Sequence, residues 1–333
     1  MSRLTPVRAV LCATLLAGLV AAPRGAGPEI AEAHAAGSLT RVGSIPIGEA
    51  PARLAAGGRR LVVATGTGVH VFDVSRPESP EFTGAHHFDH PVLGLVVAGD
   101  TAYVANSHDG LRRLDLSAAS APALTGSFAT RGQAVGVAMS GPHLFVGDNS
   151  LGFDVVDGTG ALSRVGEYLG DGFPRGIAAA GSLVFVADQP AGLIVVDVST
   201  AAAPSVAGRL SLGRDPIVRA IVPAPGSTAT ALPAVVCMVS RRGGLQVVDV
   251  SDPGAPAVRA TITTPGRPVG VAMWGARVFV ASGDVLQAFD LTDPARPALI
   301  GAADAGGRVG PVAVTDALVA VGTTDGVALF RRR

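Results

Sequence analysis

Six β-like runs in this chain end in an aspartate, at Asp73, Asp115, Asp157, Asp197, Asp249 and Asp290, and the intervals between them are 42, 42, 40, 52 and 41 residues. This period restricts the fold more than any other feature, because so short a unit buries its apolar face only against copies of itself. Other positions keep the same phase. Five residues before the aspartate position stand Gly68, Gly110, Gly152, Gly192, Gly244 and Gly326, with Val285 as the exception. Two residues after it come Ser75, Ser117, Thr159, Ser199, Ser251 and Thr292, and seven after it comes proline in five of the six copies. A seventh copy, residues 326–330, ends where Arg331 takes the aspartate's place. Aspartate, hydroxyl and proline in this order describe a turn whose carboxylate accepts local backbone N–H groups, so the six aspartates are read as structural rather than catalytic.

Within each repeat, short runs alternate or are wholly apolar, at lengths that suit strands and are too short for ordinary helices. The sixth copy is clearest, with runs at 268–273, 277–281, 286–290 and 297–301. The prediction is an all-β fold, a seven-bladed β-propeller of four-stranded antiparallel blades. The last copy supplies only three strands, while the unpaired segment 39–47 resembles fourth strands such as 124–128. The N-terminal strand is therefore expected to close the last blade and remove an open sheet edge. The insertion 223–233 explains the longest interval and reads as an extended loop between the first two strands of the fifth copy.

The repeat consensus resembles the LVIVD-repeat family of bacterial exported or surface proteins. Its best copy is Gly244-Leu245-Gln246-Val247-Val248-Asp249-Val250-Ser251-Asp252-Pro253, and residues 192–199 are close to it. The resemblance runs over nearly all of residues 39–330 and implies a propeller in the bacterial envelope, without assigning a chemistry. A related exported repeat with a Tyr-Val-Thr-Asn signature is approached once, at Tyr103-Val104-Ala105-Asn106. The third copy departs most, with Asp157-Gly158-Thr159-Gly160 at its turn and Arg164 in place of proline.

The first residues differ in composition from the rest. Arg3 and Arg8 precede an apolar run over 9–22, the length of a signal-peptide core and short for a bilayer span, and Ala33 and Ala35 suit cleavage before Ala36. Residues 1–35 are thus expected to be a signal peptide and 36–333 a single propeller domain, placed in the periplasm, at the cell surface or outside the cell, with no transmembrane span in the mature chain. A signal anchor is the alternative. Cys12 falls inside the leader, which leaves Cys237 alone and unable to form an intrachain disulfide. With 26 basic and 26 acidic residues the formal net charge is zero, which gives the whole molecule no electrostatic drive toward nucleic acid or an anionic membrane.

No catalytic motif stands out. The single tryptophan, Trp274, argues against Trp-Asp repeats and tryptophan-docked blades. The chain also lacks a Gly-x-Ser-x-Gly elbow, a His-Glu-x-x-His motif and a phosphate-binding glycine loop. In a propeller the first strand of each blade lines the central channel, so residues entering that strand should ring its mouth. Alignment on the proline that begins the strand puts Ala50, His90, Gln133, Phe173, Asp215, Arg267 and Arg308 in that ring, and Arg53, Arg175 and Arg219 near it. The ring is mixed in charge and size where the framework repeats, as a ligand pocket would be. A candidate metal set comprises His86, Asp89 and His90 with His108, next to His87 and Asp109 in sequence, although neighbours on a strand face opposite ways. The functional expectation is a non-enzymatic module binding a protein, small molecule or glycan, with no cofactor. The alternative is a metal-assisted, lactonase-like hydrolase with its ion at the channel mouth.

Overall fold

A computed structural model describes residues 39–118, 121–149, 152–170, 172–189, 191–212, 218–223, 235–240 and 244–332. The predicted leader, most of the fifth-repeat insertion and Asp215 lie outside the described residues. Twenty-eight strands form seven separate four-stranded sheets. Six sheets follow chain order from inner to outer strand, such as Arg53–Gly57, Arg60–Ala64, Gly68–Asp73 and Glu81–His87. Inner strands of consecutive blades touch all the way round, and Val312–Val314 of the last blade meets Arg53–Gly57 of the first. The ring is closed, as a seven-bladed propeller requires.

Closure takes the expected form. Leu39–Pro46 pairs antiparallel with Gly326–Arg332, Ser44 standing opposite Ala328 and Ile45 opposite Val327. Leu39 is buried against the sixth blade and Ile45 against the first, on either side of a register shift between Arg41 and Gly43, while Thr40, Arg41 and Ser44 are exposed. At the same corner Arg331, in the place of the missing aspartate, pairs with Glu78 of the first blade.

All six repeat aspartates do what their pattern predicts. Each Oδ1 accepts the backbone N–H two residues on, at distances of 2.7 to 2.9 Å. These bonds fasten the turn between the third and fourth strands of the blade. At Asp249 the Ser251 hydroxyl and N–H and the Arg259 guanidinium together lower the carboxyl pKa to about 2.

The repeat glycines answer to more than a turn. Gly152 and Gly244 have φ of +98° and +65°, and a Cβ there would stand 2.1 Å from the carbonyl oxygens of Tyr168 and Ile262. The outer strand passes so close to the start of the third strand that only glycine fits. The core lies between blades, where the second and third strands of one sheet face their neighbours. Phe145, Phe185, Phe279 and Phe330 are fully buried there. Cys237 shares that environment, and burial pushes its thiol pKa to about 12. Among the described residues no helix is long and apolar enough to cross a membrane.

Candidate functional site

The inner strands enclose a cavity of about 370 Å³ on the propeller axis. Its wall is built from corresponding positions in successive blades. Register across the first hairpin aligns Arg53, Gly94, Gly136, Gly176, Ala220 and Gly270, opposite Ala64, Ala105, Gly147, Ala187, Val239 and Ala281. Pro311, just before Val312, holds the seventh place, accepting the Gly322 N–H at 2.9 Å. Small residues are needed because adjacent inner strands converge on the axis. A Cβ on Gly94 would lie 2.7 Å from the Gly136 Cα of the next blade, and one on Gly270 2.6 Å from the Gly310 carbonyl oxygen.

One residue earlier, the register shifts in four blades, at Val135, Arg175, Arg219 and Val269. An extra residue in one strand re-aims its side chain, and Val135, Arg175 and Val269 all line the cavity. Among the described residues, Arg53 and Arg175 are the charged ones lining the cavity. The Arg53 Nε donates to the Leu93 carbonyl of the next blade at 2.8 Å and its Nη1 to the Ala52 carbonyl at 2.7 Å. The channel walls desolvate Arg53 and lower its pKa, although water still reaches the side chain. Arg175 Nε donates to Gln189 Oε1 at 3.3 Å.

The ring expected from the pre-proline position sits higher, on the loops. His90, Gln133, Arg267 and Arg308 are not among the residues lining the cavity, and both of those arginines are exposed. The physical reason is that the wall begins two residues after that position in the first and seventh blades, three after it in the second, and at the bulge in the third, fourth and sixth. Phe173 opens its strand opposite Gln189. Asp215 is outside the described residues.

His90 and Gln133 join a polar cluster between the second and third blades. His90 Nδ1 lies 3.2 Å from Asp109 Oδ2, an approach without hydrogen-bond geometry, and the His90 and His108 rings are 5.6 Å apart. Arg112 pairs with the other Asp109 oxygen at 3.3 Å. Gln133 Nε2 donates to Ser107 Oγ at 2.9 Å, and Ser107 adopts φ of +50°. The candidate metal set does not gather as a unit. His86 turns to the Pro122 carbonyl, 3.2 Å from its Nδ1, His87 Nδ1 lies 3.4 Å from Thr67 Oγ1, and Asp89 is exposed. Among the described residues no group of three or more His, Cys, Asp or Glu side chains is placed to hold a metal ion.

A second ring escaped sequence reasoning. Thr65, Asn106, Asp148, Asp188, Ser240 and Ser282 lie at the end of the second strand, or directly after it, in successive blades, Asp188 one residue before its last, and all are buried. Asn106, Asp148 and Ser282 tie down the loops that lead into the inner strands. Asn106 Nδ2 donates to the carbonyls of His90 and Pro91 at 2.5 and 3.3 Å, Asp148 Oδ2 accepts the Gly132 N–H at 2.5 Å, and Ser282 Oγ donates to the Pro265 carbonyl at 2.6 Å. The available signal was a polar residue closing each apolar second run, a few positions before the repeat glycine.

The LVIVD-repeat family model matches residues 92–130, 131–157, 171–211 and 236–264. No curated protein matches the chain. Among solved structures, the β-propeller domain of Myceliophteria thermophila Cps50 (Swd1) is similar at 12% identity, covering 89% of this chain and 100% of that one with a TM-score of 0.68. The computationally designed Ika8 protein is similar at 10% identity, covering 88% and 99% with a TM-score of 0.63. Likeness at such identities carries the fold alone. The matched segments span the second to fifth blades, so the chain is a seven-bladed β-propeller that carries four LVIVD repeats.

Proposed function

We propose that this chain is an exported, non-enzymatic binding module of the bacterial cell envelope whose ligand occupies the central channel. The observation that carries the reading is the axial cavity, of a size that suits a small ligand, whose wall departs from the repeat at a few positions while the framework keeps it. Export rests on the leader-like residues 1–35. A metal-assisted hydrolase would need converging ligands, and among the described residues no group of three or more His, Cys, Asp or Glu side chains is placed to hold a metal ion.

The test uses the full chain expressed in a bacterial host. Intact mass should show a mature N-terminus near Ala36 and fractionation should put the protein outside the cytoplasm. Native mass spectrometry of that material should show a retained small molecule, absent from Val135→Trp, which adds bulk at a cavity-lining position where another blade accommodates Arg175. An unprocessed cytoplasmic product would defeat the export part. Equal retention by wild type and Val135→Trp would defeat the channel part, and stoichiometric metal with hydrolytic turnover would defeat the non-enzymatic part.

A further inference from the structure

The channel wall carries a charge that the repeat does not need. Six of the seven aligned positions hold Gly, Ala or Pro, and the seventh is Arg53. At the bulge, Val135 and Val269 show that an apolar residue serves the fold, yet the fourth blade has Arg175 there and the fifth has Arg219. Arg53 and Arg175 belong to the first and fourth of seven blades, so they enter the cavity from nearly opposite walls.

A donor count sharpens the point. A guanidinium has five N–H groups. Arg53 uses two of them on backbone carbonyls, leaving five minus two, or three; Arg175 uses one on Gln189, leaving five minus one, or four. Neither makes an ion pair among the described residues, and no carboxylate stands among the described residues lining the cavity. Two cations thus share one channel, each with N–H groups to spare. The walls are apolar side chains and glycine backbone, which screen charge less than bulk water. Repulsion between the two, and the desolvation that already lowers the Arg53 pKa, are both relieved by an anion between them. Guanidinium groups match planar and tetrahedral oxyanions with paired N–H donors.

We infer that the channel binds a small molecule through a carboxylate or phosphate group held between Arg53 and Arg175. This rests on the reading of the channel as the ligand site and adds the ligand's chemical class. The cavity volume suits a small molecule, and a charge-assisted contact on each side of that group fixes its orientation.

The test is calorimetric titration of the mature propeller, in a low-salt buffer free of carboxylate and phosphate, with inorganic phosphate, citrate and the neutral disaccharide trehalose. Arg53→Gly and Arg175→Val install residues that other blades carry at the same positions, so these variants should fold, which circular dichroism melting checks. Phosphate or citrate should bind wild type, each single variant should weaken it about tenfold or more, and the double variant should abolish it. A preference for citrate would identify carboxylate as the group, and a preference for phosphate a phosphoryl group. Undiminished anion binding by the folded double variant, or no anion binding by wild type, would overturn the inference. Trehalose bound by wild type and the double variant but not by Val135→Trp would overturn the anion class and leave the channel site standing. If no probe binds and Val135→Trp retains its co-purifying molecule, both readings fall.

Discussion

Ile45→Ala tests the closure on which the ring depends. Ile45 lies on Leu39–Pro46, is 3% exposed, and packs with Leu54, Leu61, Phe72 and Leu329, so a side chain far away in sequence completes a core shared by the first and last blades. The substitution removes three carbons, worth about 0.8 kcal/mol each by transfer, or roughly 2.4 kcal/mol. The cavity left behind raises the cost, because the strand is held by its pairing with Gly326–Arg332 and cannot collapse inward. The expected loss is about 3 kcal/mol, within the roughly 2–5 kcal/mol seen for such changes in cores. Ser44→Ala, on the exposed face of the same strand, should change stability by less than about 0.5 kcal/mol. Urea unfolding followed by far-UV circular dichroism reads both. Equal midpoints for Ile45→Ala, Ser44→Ala and wild type would mean that the opening strand does not belong to the folded ring, and the closure argument would be refuted.

Other parts of the framework make separate predictions. The Asp249 carboxyl pKa is lowered to about 2 in the fold against an ordinary value of 3.8, so its stabilisation is present above about pH 4 and disappears as the pH falls toward 2. Asp73, Asp115, Asp157 and Asp290 shift in the same direction through the same kind of turn, and Asp249→Asn should flatten the acid dependence of the urea midpoint. An unchanged acid profile would contradict the assigned cause. Cys237 should resist thiol reagents at pH 8 in the folded chain from Ala36 onward and react fully in denaturant; rapid labelling of the native protein would show that the fifth blade opens. Asn106→Ala should cost about 1–3 kcal/mol by leaving the His90 and Pro91 carbonyls without their side-chain donor. A neutral result in urea would remove the loop-fastening role from that ring.

The framework was readable from sequence because each of its rules repeats. The Asp-x-Ser/Thr turn appears six times, so local hydrogen bonding that would be ambiguous once becomes legible, and every one of those bonds is formed. The missing fourth strand of the seventh blade could be recovered because the two chain ends add up to one unit. The channel wall was harder. Alignment on the pre-proline residue picked loop positions such as His90 and Arg308, since the proline marks the start of the run but not the point where side chains turn inward. A bulge shifts that point by one residue in several blades, and no residue type announces it. The same uncertainty separated His86 from His90, because a strand ends between them and its last side chains face elsewhere.

Repetition also supplies the comparison by which a functional residue can be told from a structural one. If Arg175 served the fold, replacing it with the valine of the third and sixth blades would lose stability; if it serves a ligand, the same change removes a cation that has no ion pair among the described residues and loses its 3.3 Å contact to Gln189. Arg175→Val should therefore be neutral or stabilising, within about 0.5 kcal/mol of wild type or above it, while Ile45→Ala loses several times as much. The residue is accessible to water, which keeps the gain small. Urea midpoints in the absence of added phosphate or carboxylate give the comparison directly. A loss above about 1 kcal/mol in Arg175→Val would place the guanidinium in the framework, and the strongest reason for reading the channel charge as functional would go with it.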